Sequence, residues 1–149
     1  VNGLTLSGAY TYARYRFADY KVVSGTAVDT LDGNRLPGVP ENFWRFGLRT
    51  VLPRGCYLDA DHTISSSVVA NDANAIVVDS WGAGVTNARF GWGGDAGSVS
   101  VAPFLGLNNV WDRQYVGSVT LNGTGGRVYE PSPRRVVYLG MEIGYRAPS

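Results

Sequence analysis

Six stretches of the chain alternate apolar residues with polar or small ones, and each is about ten residues long. The last is the clearest. Val137, Leu139, Met141, Ile143 and Tyr145 form one face; Val136, Tyr138, Gly140, Glu142, Gly144 and Arg146 form the other. A period of two belongs to an extended strand, whose successive side chains point to opposite faces. The same pattern predicts strands at 4–13, 43–52, Cys56–Ser65, Val85–Trp92 and Val99–Asn108. On one face of these lie Leu6, Trp44, Phe46, Leu58, Ile64, Phe90 and Leu105. Their sequence neighbours on the other face include Arg45, Arg49, Asp59, Asp61 and Arg89. Alternation alone fits a half-buried strand of a soluble sheet. It also fits a strand with hydrocarbon on one side and a wet lumen on the other.

The connections separate these two readings. Only Pro53-Arg54-Gly55 joins the second strand to the third, and a short glycine-rich stretch, 93–97, joins the fourth to the fifth. The other three connections are long, at about 18–41, 69–84 and 110–134. Short and long connections therefore alternate, as periplasmic turns and extracellular loops do in outer-membrane barrels. The order puts the C-terminus on the periplasmic side. The charges Arg45, Arg49, Asp59, Asp61, Arg89 and Glu142 all fall on the face opposite the apolar one, so they are expected to line a lumen. A three-residue loop at Pro53–Gly55 would set Arg49 opposite Asp59. Tyr12, Trp44, Phe90, Trp92 and Tyr145 lie near strand ends, where aromatic girdles sit. His62 is the polar exception on the apolar face, and a place near the interface would accommodate it.

Composition narrows the function. The 149 residues carry a net charge of +1 and no dense basic run, so nucleic acid is not an expected partner. No stretch approaches the roughly 18 apolar residues of a membrane helix, although strands that alternate would escape that test. One cysteine, Cys56, allows neither an internal disulfide nor a cysteine-based zinc cluster. The chain opens almost directly into its first strand, which suggests a piece of a longer exported protein. Six strands are also fewer than the roughly eight of the smallest membrane barrels.

Four motifs then resemble the C-terminal part of the barrel of TonB-dependent outer-membrane receptors. They are Leu36-Pro37-Gly38-Val39-Pro40; Asn108-Asn109-Val110-Trp111-Asp112-Arg113-Gln114-Tyr115; Gly126-Arg127-Val128-Tyr129-Glu130-Pro131; and Tyr138-x-Gly140-x-x-Ile143-x-Tyr145. Their order and spacing both agree with that family across the whole chain. The resemblance implies an all-β fold, the last six or so strands of an antiparallel up-and-down transmembrane barrel of roughly 22 strands. It implies that residues 1–149 are the C-terminal fragment of a single barrel domain, with the plug domain upstream. Expected partners are outer-membrane lipid, the TonB protein through that plug region, the barrel assembly machinery, and a small metal-chelate ligand. In the family, Tyr138, Gly140, Ile143 and Tyr145 would form the assembly signal. Here Arg146-Ala147-Pro148-Ser149 follow Tyr145, where the family usually ends on an aromatic residue.

No cofactor, metal site or catalytic function is expected. Asp59 and Asp61 share a strand face but His62 points away, so the three cannot converge on a metal. Gly91-Trp92-Gly93-Gly94 lacks the following helix of a phosphate loop. No nucleophile, base and acid assemble around the lone histidine. Ligand contact is expected from loops on a rigid scaffold. There Tyr20, Lys21, Trp111, Arg113, Tyr115, Arg127 and Tyr129 combine aromatic and cationic groups suited to an anionic or aromatic chelate. The expected function is uptake of a scarce nutrient such as a ferric siderophore across the bacterial outer membrane, energised by the TonB system. Two other readings fit the strand pattern: a small structural or adhesive barrel that transports nothing, and a soluble lipocalin-like binder.

Overall fold

The computed structural model describes residues 3–79 and 84–146. In chain order the first strands are β1 (Gly3–Tyr12), β2 (Lys21–Ser24), β3 (Ala27–Thr30), β4 (Asn42–Val51), β5 (Cys56–Ser65), β6 (Val68–Val69) and β7 (Val77–Val78). They are followed by β8 (Val85–Trp92), β9 (Gly94–Ala96), β10 (Val99–Asn108), β11 (Val116–Val119), β12 (Tyr129–Pro131) and β13 (Val136–Tyr145). The long strands make one sheet in the order β1-β4-β5-β8-β10-β13, each antiparallel to the next. Sequence order is therefore spatial order, which is an up-and-down wall. The fold is all-β.

The register sorts the wall into two faces. One rung runs Leu4, Thr50, Leu58, Phe90, Leu105 and Leu139 across all six strands. The rung beside it, on the other face, runs Thr5, Arg49, Asp59, Arg89, Gly106 and Tyr138. A depression of about 450 Å³ opens on this second face, lined by Arg45, Arg49, Asp59, Asp61, Asn87 and Arg89 among others. The hollow side of the wall is thus the polar one. Among the described residues the apolar face carries no packed layer: Leu139 is 82 % exposed, and Leu6, Ile143 and Met141 are also open. The buried apolar residues, Val68, Val69, Ala70, Val78, Val85 and Val128, lie in or next to the long connections. A soluble sheet turns its apolar side onto a core. This wall does the reverse.

Turn chemistry explains the tight ends. Leu52 donates its N–H to Cys56 across Pro53–Gly55, with Arg54 and Gly55 at φ 64 and 77. The glycine-rich connection is shorter than its composition suggests. Strand pairing resumes after Trp92 as β9 and runs to Ala96, so only Gly97 and Ser98 form the turn, with Gly97 at φ 65. The break falls opposite Pro103, which has no N–H to give the ladder. On its other side the Gly93 N–H donates to the Gly55 carbonyl, carrying the pairing with β5 one residue further.

The three long connections are not plain loops either. Each contains a small antiparallel pairing, β2 with β3, β6 with β7, and β11 with β12. The second and third pack on one another through Val68, Ala70, Val78 and Val128, with Ile76, Val116 and Val119 against them. Gly38 donates to Val69, and Asn122 donates to Ala70, so the second connection is tied to both others.

Candidate ligand cavity and lumen surface

On the hollow face the charges are engaged with one another and with rings. Arg49 and Asp59 are 3.5 Å apart, where the Pro53–Gly55 turn sets them opposite. Asn87 donates to Asp61 at 3.1 Å. Arg89 donates to the Tyr57 hydroxyl at 2.9 and 3.2 Å and pairs with Glu142, two strands away. To reach it, the guanidinium lies 3.8 Å over the Phe104 ring, a cation–π contact. Arg45 has no ion-pair partner among the described residues. Asp59 and Asp61 thus serve the polar, hollow face, while His62 is on the far side of the sheet.

Three glycines make this surface possible. The Tyr57 ring lies over Gly91, the Tyr138 ring over Gly106 and the Phe104 ring over Gly140, each directly opposite its partner in register. A Cβ at any of these glycines would collide with the ring. Aromatic cover of a strand glycine also protects backbone that would otherwise be bare. Two residues of the expected assembly signal, Tyr138 and Gly140, therefore each interlock with β10. Ile143 and Tyr145 lie on the open apolar face and touch neither ring.

Where β10 ends, Asn109 makes the turn. It is 1 % exposed, at φ 53, and its amide accepts from the Arg113 N–H at 2.9 Å and donates to the Arg113 carbonyl at 2.7 Å. Its own N–H donates to Asn87 at 3.0 Å, tying the turn to the hollow face. Asp112 accepts from the Nε and Nη2 groups of Arg134, at 3.0 and 2.8 Å, and from the Arg135 N–H at 2.9 Å. The Arg134 guanidinium, followed by the Arg135 amide, holds the Asp112 carboxyl well below the usual carboxylate range. This clamp joins the end of β10 to the start of β13.

The seven expected ligand residues do not converge. Tyr20 stacks on Phe17 at 4.6 Å and donates to Asp72 at 3.3 Å, inside the junction of the connections. Lys21 opens β2, and Arg127 is exposed beside Val128. The backbone of Arg113 is taken up by Asn109. Trp111 lies outside the set altogether: its indole N–H donates at 2.9 Å to Thr86, which bonds His62 at 2.8 Å. Thr86 and His62 belong to the apolar face, so these three satisfy one another there. Above them Tyr10 and Trp44 stack at 5.0 Å, and the Tyr10 hydroxyl donates to Asn42.

Tyr115 and Tyr129 do come together. They line a cavity of about 930 Å³ between the second and third connections, with Val77, Val116, Val128, Pro131 and Pro133. Asp79, Gln114 and Arg134 supply polar groups to its wall. Composition cannot single out this cavity, because its valines are ordinary loop residues in sequence. The residues that hold the connections together, Asp72, Asn74 and Asn122, were equally silent. Asp72 accepts from Tyr20 and Asn122, and Asn74 bonds the Arg35 backbone on both sides. Their one sequence signal is frequent asparagine, which tolerates positive φ: Asn74, Asn109 and Asn122 all adopt it. Among the described residues, no group of three or more His, Cys, Asp or Glu is placed to hold a metal ion.

No sequence-family model matches the chain. Its fold is nonetheless similar to part of a solved structure. The crystal structure of the siderophore receptor PiuA from Acinetobacter baumannii superposes with a TM-score of 0.73 over 94 % of this chain, at 18 % identity. At that identity the likeness is one of fold. The chain spans 19 % of the length of that receptor.

Proposed function

We propose that this chain is the C-terminal part of the barrel of a TonB-dependent outer-membrane receptor that imports a small chelate such as a ferric siderophore, with no catalytic step of its own. The observation that carries this is the inverted wall: a polar hollow face backed by an apolar face with no core on it. Such a face needs hydrocarbon to cover it. The open edges of β1 and β13, each paired on one side only, call for further strands, since unpaired backbone is costly in lipid. A larger barrel supplies them, and the likeness to PiuA supports one of receptor type. The motifs at Asn109, Arg127 and Tyr138 favour the same family. The wall would then form a lumen that surrounds an upstream plug, and the connections would face the outside.

The test is uptake of radioactive iron as a ferric chelate by iron-starved cells with and without the gene. Loss of uptake on deletion, and its arrest in wild-type cells by a protonophore, are the expected results. Recovery of the protein in the soluble fraction without detergent, or deletion without effect on any chelate tried, would sink the proposal.

A further inference from the structure

We infer that the cavity between the second and third connections is a binding site for a neutral or cationic ligand with an apolar or aromatic body, and that it discriminates against anionic ones. The inference deepens the import reading and rests on it. The cavity's volume of about 930 Å³ is within the range of small-molecule sites. Its wall is mostly valine, proline and tyrosine, which suits an apolar body.

The charge inventory decides the sign. Among the described residues, two charged side chains line the cavity, Asp79 and Arg134. Arg134 is already neutralised by Asp112, which holds it through two hydrogen bonds. The Asp79 carboxylate has no hydrogen-bond or ion-pair partner among the described residues. The cations that composition suggested for an anionic chelate, Lys21, Arg113 and Arg127, are not in the wall. An anion placed here would meet an exposed, uncompensated carboxylate beside a mostly apolar wall, whereas a cation or a neutral aromatic group would not be repelled.

Equilibrium dialysis of the detergent-solubilised protein against three matched probes tests this: 1-naphthylmethylamine, 1-naphthalenemethanol and 1-naphthalenesulfonate. The amine and the alcohol should bind saturably, and the sulfonate about three- to tenfold more weakly, the size of one screened surface charge. Asp79→Lys, at an exposed position that leaves the core untouched, should reverse the order of amine and sulfonate. Val116→Trp should weaken all three by filling the space. Sulfonate binding as tight as that of the amine overturns the inference, as does an order that Asp79→Lys leaves unchanged or the absence of saturable binding by any probe. Failure of the import reading shows separately in the iron-uptake experiment, which does not depend on the order of these probes.

Discussion

The two faces of the wall make opposite demands on β13, and Leu139→Arg against Glu142→Gln measures the difference. Leu139 is 82 % exposed at the end of the rung that crosses all six strands, next to Leu105. Covering that side chain with lipid contributes most of the roughly 1.5–3 kcal/mol of a fully buried leucine. An arginine there loses that term and adds about 2–4 kcal/mol at mid-depth. The total is about 3–6 kcal/mol, or two to four powers of ten in the folding equilibrium. Glu142 faces the hollow side and accepts from Arg89. A glutamine keeps the hydrogen bond, and with the glutamate side chain 64 % exposed the lost charge should cost under about 1 kcal/mol. Refolding from urea into phosphatidylcholine vesicles, followed by tryptophan fluorescence and heat-shifted gel mobility, reads both. Leu139→Arg should move the midpoint strongly to lower urea and Glu142→Gln hardly at all. Equal shifts would refute the assignment of faces, whatever the identity of the protein.

Other positions test the interlocks and the clamps. Gly140→Val should destabilise the same transition by about 1–3 kcal/mol of overpacking against Phe104, and adding Phe104→Ala should recover part of it. Asn109→Ala removes two side-chain bonds and puts alanine at φ 53; a loss of roughly 2–4 kcal/mol is expected in urea melts. Asp112→Asn tests the arginine clamp through pH. Because folding lowers the Asp112 carboxyl, its stabilisation is complete above the ordinary value of about 3.9 and fades as pH falls toward the depressed one. The gap between wild type and Asp112→Asn should therefore be flat from neutral pH to about 5 and shrink below 4, and a gap that widens in acid would contradict the clamp. Asp72→Ala should raise amide exchange in the first and third connections together, since Asp72 touches both.

The wall strands were legible because each side chain's face is decided by a local rule of period two, and the rule holds over about ten residues at a time. Strands β5, β8 and β10 begin and end where the alternation does. The short strands inside the long connections have two to four residues, too few for any period to appear. Their positions come from contacts distant in sequence, such as Gly38 with Val69 and Asp72 with Asn122. The expected ligand residues share a chemical type, and type does not decide where each side chain is placed. Trp111 has the right ring for a ligand but finds its hydrogen bond on the apolar face. Arg134, absent from that set, reaches the cavity already paired. The strand β9 was hidden by glycines that read as loop, although only Gly97 needs a turn conformation.

The clamps also bear on how a ligand site on loops can be held to a wall. Loops joined to strands by their ends alone would leave the cavity free to shift. Here Asn87 uses one side chain for both regions: its amide nitrogen donates to Asp61 on the hollow face, and its oxygen accepts from the Asn109 N–H at the base of the third connection. Asn109 closes the turn that presents Asp112, and Asp112 fixes Arg134 in the cavity wall. Each link is a hydrogen bond whose geometry the next one needs. The cavity is therefore placed relative to the hollow face by side-chain bonds as well as by the chain, and its charge balance depends on the same bonds. Breaking the Asp112 link would free the Arg134 guanidinium into the cavity wall. An Asp112→Asn protein should then bind 1-naphthalenesulfonate more tightly than wild type does, with binding of the neutral alcohol unchanged. Sulfonate affinity that stays at the wild-type value would mean that pairing with Asp112 is not what keeps the cavity from accepting anions.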